Sequence, residues 1–149
     1  MKYRMATAVM SLVGMFVAAY LYLYKIGKIG ALACGTGGCE AVQASEWARF
    51  LGVEVSLIGM VGYLAMFLVA VVGLQGLSST RRAVPVLLVI MSGTGVAFTI
   101  YLTALELFVI HAICRWCVGS AIIITLVFVS ALLDLLRGPA AQPVVSPST

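Results

Sequence analysis

Four long apolar runs constrain this chain more than any other feature of its sequence. They cover Met5 to Tyr24, Val55 to Leu74, Ala83 to about Ile113, and Val118 to Leu133. About 20 apolar residues in a helix cross the hydrocarbon core of a bilayer. A spanning segment must also satisfy its own backbone hydrogen bonds, which for such a run means a helix. The predicted fold is therefore an all-α membrane protein, a four-transmembrane-helix bundle. Composition agrees. Of 149 residues, 63% are hydrophobic and 9% charged, against about 25% charged in a soluble domain. That excludes a disordered chain, a collagen-like chain and an ordinary water-soluble enzyme. The net charge of +4 comes from scattered Lys and Arg with no basic run, so a nucleic-acid partner has no support.

The first run competes with a signal-peptide reading. Lys25 and Lys28 separate it from the small residues before Cys34, and it exceeds the usual apolar core of a leader, so a retained span is expected. Small residues inside the runs, such as Gly14, Gly59, Gly62 and Ser92, let helix backbones approach closely in lipid. Between the first two runs, Glu40 to Leu51 reads as a short horizontal amphipathic helix on the membrane surface, with Val42, Trp47, Phe50 and Leu51 as its apolar stripe. From Gly138 the chain carries three prolines and reads as a disordered tail. The expected organisation is a four-helix unit over 1–137 and a tail over 138–149.

Lys2, Arg4, Arg81, Arg82 and Arg137 fall on one side of this topology, and Lys25, Lys28, Arg49 and Arg115 on the other. The short loop with Arg81 and Arg82 is the clearest cue. It places both termini in the cytoplasm and the long first loop on the outer face of the cell membrane.

All four cysteines map to that outer face: Cys34 and Cys39 in the first loop, Cys114 and Cys117 where the third run gives way to the fourth. Three chemistries compete. Two structural disulfides are one, and a small membrane scaffold or transport protein would carry them. A bridge across the two residues between Cys114 and Cys117 closes almost no loop and adds little stability. A four-thiolate metal site is the second, but such sites usually serve soluble modules, and no metal is expected here. The third, favoured here, is dithiol redox chemistry, because a Cys-x-x-Cys pair at a helix start beside Arg115 has depressed thiol pKa values. Four cysteines allow three pairings, and the spacing does not choose among them. Thiol oxidation removes two electrons, and the chain has no nucleotide-binding fingerprint. A quinone dissolved in the membrane fits as acceptor, with Cys117 at the start of the fourth span beside it.

The joint pattern resembles the vitamin K epoxide reductase family, in particular its microbial members. It comprises Cys34 and Cys39, Ser45 six residues after Cys39, the stretch Gly52 to Gly59, Tyr101-Leu102, and Cys114-Arg115-Trp116-Cys117. The resemblance covers about Met5 to Leu133. It implies an oxidoreductase that takes electrons from a thioredoxin-like thiol protein and passes them to ubiquinone or menaquinone. On that resemblance, Cys34 and Cys39 form the shuttle pair, Cys114 and Cys117 form the active-site pair, Cys39 attacks Cys114, and Ser45 lies near the quinone. Val55 and Ala121 stand where animal members carry the Asn and Tyr that hold vitamin K carbonyls, which argues against epoxide reduction.

Two further residues are candidates for proton transfer. Glu106 is the one acidic residue deep within a run, and such groups mark functional sites by default. His111 stands three residues before Cys114, so in a continuous helix the two share a face. Trp116 and Tyr20, Tyr22 and Tyr24 read as interface anchors.

Overall fold

The computed structural model describes residues 2–35, 38–75 and 82–137. The expected tail over 138–149 and Arg81 of the arginine loop lie outside the described residues. Four long helices form: α1 (Lys2–Lys25), α3 (Val55–Leu74), α4 (Ala83–Leu105) and α5 (Arg115–Arg137), with α2 (Gly38–Ala44) in the first loop. Each long helix has the length and apolarity to cross a membrane, α4 together with a π-helical turn over Glu106–Ile110 that extends it. The second apolar run and α3 coincide end to end. The protein is a multi-pass membrane protein.

Helix α1 packs on α3 and α5, and α4 packs on α5 and α3, so the four close into a ring. Gly14 shows why small residues matter at these seams. A Cβ there would collide with the Tyr63 ring of α3. The absence of that Cβ lets Tyr63 lie flat between helices and donate its hydroxyl to the Ser120 carbonyl of α5, 3.0 Å away.

Two apolar cores result. One runs along the bundle through Ala18, Tyr63, Met66, Leu88, Ile124 and Val127. The other gathers Leu21, Leu32, Cys34, Cys39, Val42 and Cys114 at one end. The opposite end is tied by Arg4, whose guanidinium reaches Asp134 of α5 at 2.9 Å and the Gly73 carbonyl of α3 at 2.8 Å. Arg137 lies over the Tyr3 ring beside it.

The first loop departs from the single surface helix expected over Glu40 to Leu51. Helix α2 stops at Ala44. Ser45 is extended, and both its N–H and its hydroxyl bond back to the Val42 carbonyl. A serine that offers the backbone a local partner in this way ends a helix. A 3₁₀ turn (Glu46–Ala48) follows, then a hairpin of β1 (Arg49–Phe50) and β2 (Val53–Glu54). Leu51 and Gly52 make its turn, both with positive φ. The expected apolar stripe is therefore divided: Val42 is buried, whereas Leu51 at the hairpin tip is 89% exposed. Glu54 anchors the hairpin. Its carboxylate meets Arg49 at 2.7 Å and Lys25 of α1 at 3.5 Å. Lys25 also donates to the Gln43 carbonyl of α2.

Candidate active site

The four cysteines converge at one end of the bundle. Cys34 and Cys39 are joined in a disulfide, with their Cα atoms 6.1 Å apart. Cys114 and Cys117 are free thiols. The bonded pair and Cys114 share one buried apolar cluster, with Cys117 packed against it.

Gly38 makes that approach possible. A Cβ on Gly38 would stand 2.5 Å from the carbonyl oxygen of Ile113. Glycine at the start of α2 lets its first turn rest directly on the backbone that leads to Cys114. Cys34 is only 2% exposed. Cys39 is fully buried as well, so both sulfurs of the expected shuttle pair are covered while the disulfide is formed.

Cys114 immediately precedes α5, and its sulfur accepts the backbone N–H of Cys117 at 3.3 Å. This is the geometry by which Ser or Asp caps a helix N-terminus, here made by sulfur. The Cys117 thiol beside it holds Cys114 below the usual thiol range, against the opposing effects of burial and of the Glu106 charge. The helix start and Arg115 were the expected causes for the pair; for Cys114 the largest cause is instead the hydrogen bond from Cys117, and Arg115 is not among them.

Glu106 is 5% exposed. A continuous helix would hold it far along the axis from Cys114. Instead the π turn over Glu106–Ile110 and a left-handed His111 (φ 55°) fold the chain back. The carboxylate then accepts the Cys114 N–H at 3.1 Å and also meets the Cys117 side chain. The helix face expected to carry His111 with Cys114 does not form, because helical structure ends at Ile110. His111 is exposed. Trp116 packs against Tyr20 with ring centroids 4.9 Å apart, and Tyr20 in turn accepts the Ala33 N–H, which fixes the approach to Cys34.

A cavity of about 410 Å³ adjoins this cluster. Its walls are mostly apolar: Leu21 of α1, Ile58 and Met66 of α3, Phe98 and Leu102 of α4, and Ile124 of α5. The α2 region roofs it through Val42, Ser45 and Trp47. Cys117 and Glu106 open onto it, and Cys117 is its one cysteine. Size and lining suit a flat apolar ring. Ser45 lines the cavity, with its hydroxyl donated to the Val42 carbonyl at 2.6 Å.

The sequence profile of the vitamin K epoxide reductase family matches residues 5–132, a stretch that includes every cysteine and reaches into all four spans. The chain belongs to that family. Vitamin K epoxide reductase family members are membrane oxidoreductases of disulfide and quinone chemistry.

Three features of this family member's site were not read from sequence. Gly38 carried no signal beyond a Gly-rich loop. The Tyr63–Ser120 tie joins residues 57 positions apart. Ser56, inside the matching stretch, stands in the cavity wall with its hydroxyl buried and without a partner.

Proposed function

We propose that this protein oxidises the thiols of a thioredoxin-like protein and delivers the electrons to a membrane quinone, ubiquinone or menaquinone. One observation carries the reading: Cys114 packs in the cluster of the Cys34–Cys39 disulfide, while its neighbour Cys117 forms part of the cavity wall. The Cys114/Cys117 pair thus bridges the two places that such a relay must connect.

The exchanges follow from thiolate attack on disulfide sulfur. A partner thiolate attacks Cys34 and displaces Cys39. The partner's second thiol then closes the partner's disulfide and leaves Cys34 and Cys39 reduced. Cys39 attacks Cys114 in a Cys114–Cys117 disulfide and displaces Cys117. Cys34 then attacks Cys39, which restores the Cys34–Cys39 bond and leaves Cys114 and Cys117 as dithiol. That last arrangement is the one the structure holds. A quinone supplies the acceptor for two electrons and two protons, becoming a hydroquinone as the Cys114–Cys117 disulfide re-forms. Glu106, in contact with both cysteines, receives the Cys117 proton. Two structural disulfides, the alternative reading, would leave no free thiols.

The cysteine end faces the outside of the cell membrane on this reading. Arg82, Arg137 and Arg4 mark the other, cytoplasmic end. A membrane-impermeant maleimide added to intact cells after reduction labels Cys34 or Cys39; labelling only after the membrane is opened reverses the orientation.

The deciding assay follows quinone reduction against oxidation of a reduced thioredoxin-like protein. Wild-type protein couples the two, and Cys117→Ser abolishes quinone reduction without loss of fold. Near-normal turnover by this variant would place the acceptor elsewhere.

A further inference from the structure

Two hydroxyls of the described spanning helices, Ser11 and Ser56, are buried without a hydrogen-bond partner, and Ser56 is the one in the cavity wall. Ser92, Thr94 and Thr125 each donate to the carbonyl four residues earlier in their own helix, and Tyr63 donates to Ser120. Ser56 sits in the first turn of α3 and has no helical carbonyl behind it to accept its proton. The residue is 8% exposed, and its Oγ is buried with no hydrogen-bond partner. A buried hydroxyl without a partner carries the full cost of its lost hydration. Among the described residues three other buried atoms lack a hydrogen-bond partner, Ser11 Oγ, Glu54 Oε2 and Trp116 Nε1, but none of these residues lines the cavity.

Ser56 does line it. With Gly59, Tyr63 and Met66 it forms a stripe at helical spacing, and all four belong to the cavity wall. Its surroundings suit an oxygen that gains negative charge. No side chain caps the N-terminus of α3, so the positive end of that helix faces whatever lies beside its first turn. Glu54, two positions before Ser56, is held by Arg49 and Lys25, and the one carboxylate in the cavity wall, Glu106, accepts the Cys114 N–H. Fixed donors aimed at a developing oxyanion are the usual way a protein favours such a change.

We propose that the Ser56 hydroxyl, at the N-terminal end of α3, is the hydrogen-bond donor that holds a quinone carbonyl oxygen in this cavity. The proposal rests on the quinone reading above and names the group that orients the ring and stabilises its oxygen as electrons arrive. Ser56 acts at the oxygen, while Cys117 acts as the source of electrons. The hydroxyl is left over in the folded protein because it is reserved for the ligand.

The test uses the full chain in lipid nanodiscs, with menadione as probe, in wild type, Ser56→Ala and Ser56→Thr. Menadione binding is read from quenching of tryptophan fluorescence, since Trp47 lines the cavity. Ser56→Ala weakens menadione binding about fivefold to tenfold, the value of one hydrogen bond, and Ser56→Thr restores it. Without quinone, Ser56→Ala melts at the same temperature as wild type or higher, because an unpaired buried hydroxyl has been removed. Thiol exchange with a reduced partner in a quinone-free single turnover stays unchanged, since it uses only the cysteines. Menadione binding as tight as wild type in Ser56→Ala overturns the proposal. So does a lower melting temperature for the quinone-free variant, which would mean that the hydroxyl serves the fold. Weakened binding in a protein that never reduces menadione supports the donor and defeats the oxidase reading, so the two fail separately.

Discussion

The backbone N–H of Cys114 donates to Oε2 of Glu106 across 3.1 Å, although eight positions separate the two residues. The π turn and the left-handed His111 bring the carboxylate back onto the chain just before α5. The same carboxylate meets the Cys117 side chain. One acidic group thus contacts both members of the free cysteine pair.

Glu106→Gln preserves an oxygen for the Cys114 N–H and removes the group that can take a proton from Cys117. Quinone turnover falls by about two orders of magnitude, the usual contribution of a positioned proton acceptor. Thermal stability and quinone-free thiol exchange change little. Steady-state rates beside a melting curve decide it; unchanged turnover would make Glu106 a purely structural contact.

Cys114 titrates below the usual thiol range because the Cys117 thiol supports its anion. The sign follows directly: as pH falls, Cys114 stays a thiolate through the region where an ordinary thiol has already taken up its proton. The thiolate absorbance of the reduced protein, with Cys34 and Cys39 replaced by Ser, reports the midpoint. Cys117→Ala removes the supporting donor and moves that midpoint upward.

Gly38→Ala forces a methyl group against the Ile113 carbonyl. Overpacking of this kind costs about 1–3 kcal/mol, and here it also lifts the first turn of α2 from the backbone before Cys114. Exchange between the loop pair and Cys114 slows, while menadione reduction by a pre-reduced Cys114/Cys117 pair keeps its rate. Rapid-quench trapping of the two steps separates them.

The loop cysteines have distinct expected roles. In Cys34→Ser, Cys39 becomes joined to Cys114 and Cys117 stays free. In Cys39→Ser, the partner is trapped on Cys34. Peptide mapping after incubation with the reduced partner identifies the bonds; Cys34 joined to Cys114 would exchange the assignments.

Arg4→Leu leaves Asp134 without its 2.9 Å partner in an apolar setting. Breaking one side of a largely buried pair costs about 3–5 kcal/mol, and replacing both sides with apolar residues costs far less. The melting temperature in detergent therefore drops for Arg4→Leu and recovers in Arg4→Leu/Asp134→Leu.

The spans were legible because apolar length is a local property. Val55–Leu74 could be read from end to end, and the grouping of the four cysteines at one end followed from counting crossings. The loop was harder. Ser45 ends α2 through its own hydroxyl, a choice that apolar periodicity does not register. Leu51 takes a left-handed conformation that its side chain does not advertise, and only Gly52 beside it signalled a turn. The Glu106–Cys114 contact depends on a π turn, and the spare hydroxyl of Ser56 depends on what all its neighbours do with theirs. Both are properties of packing.

The burial of Cys34 has a consequence for the economy of a cell membrane. A disulfide covered to 2% exposure is a poor target for small dissolved thiols. On the proposed relay it is discharged only by a protein able to displace the chain around Leu32 and Tyr20. If that relay holds, oxidising power is insulated from the general thiol pool, and electrons reach the quinone by this route only when a folded client delivers them.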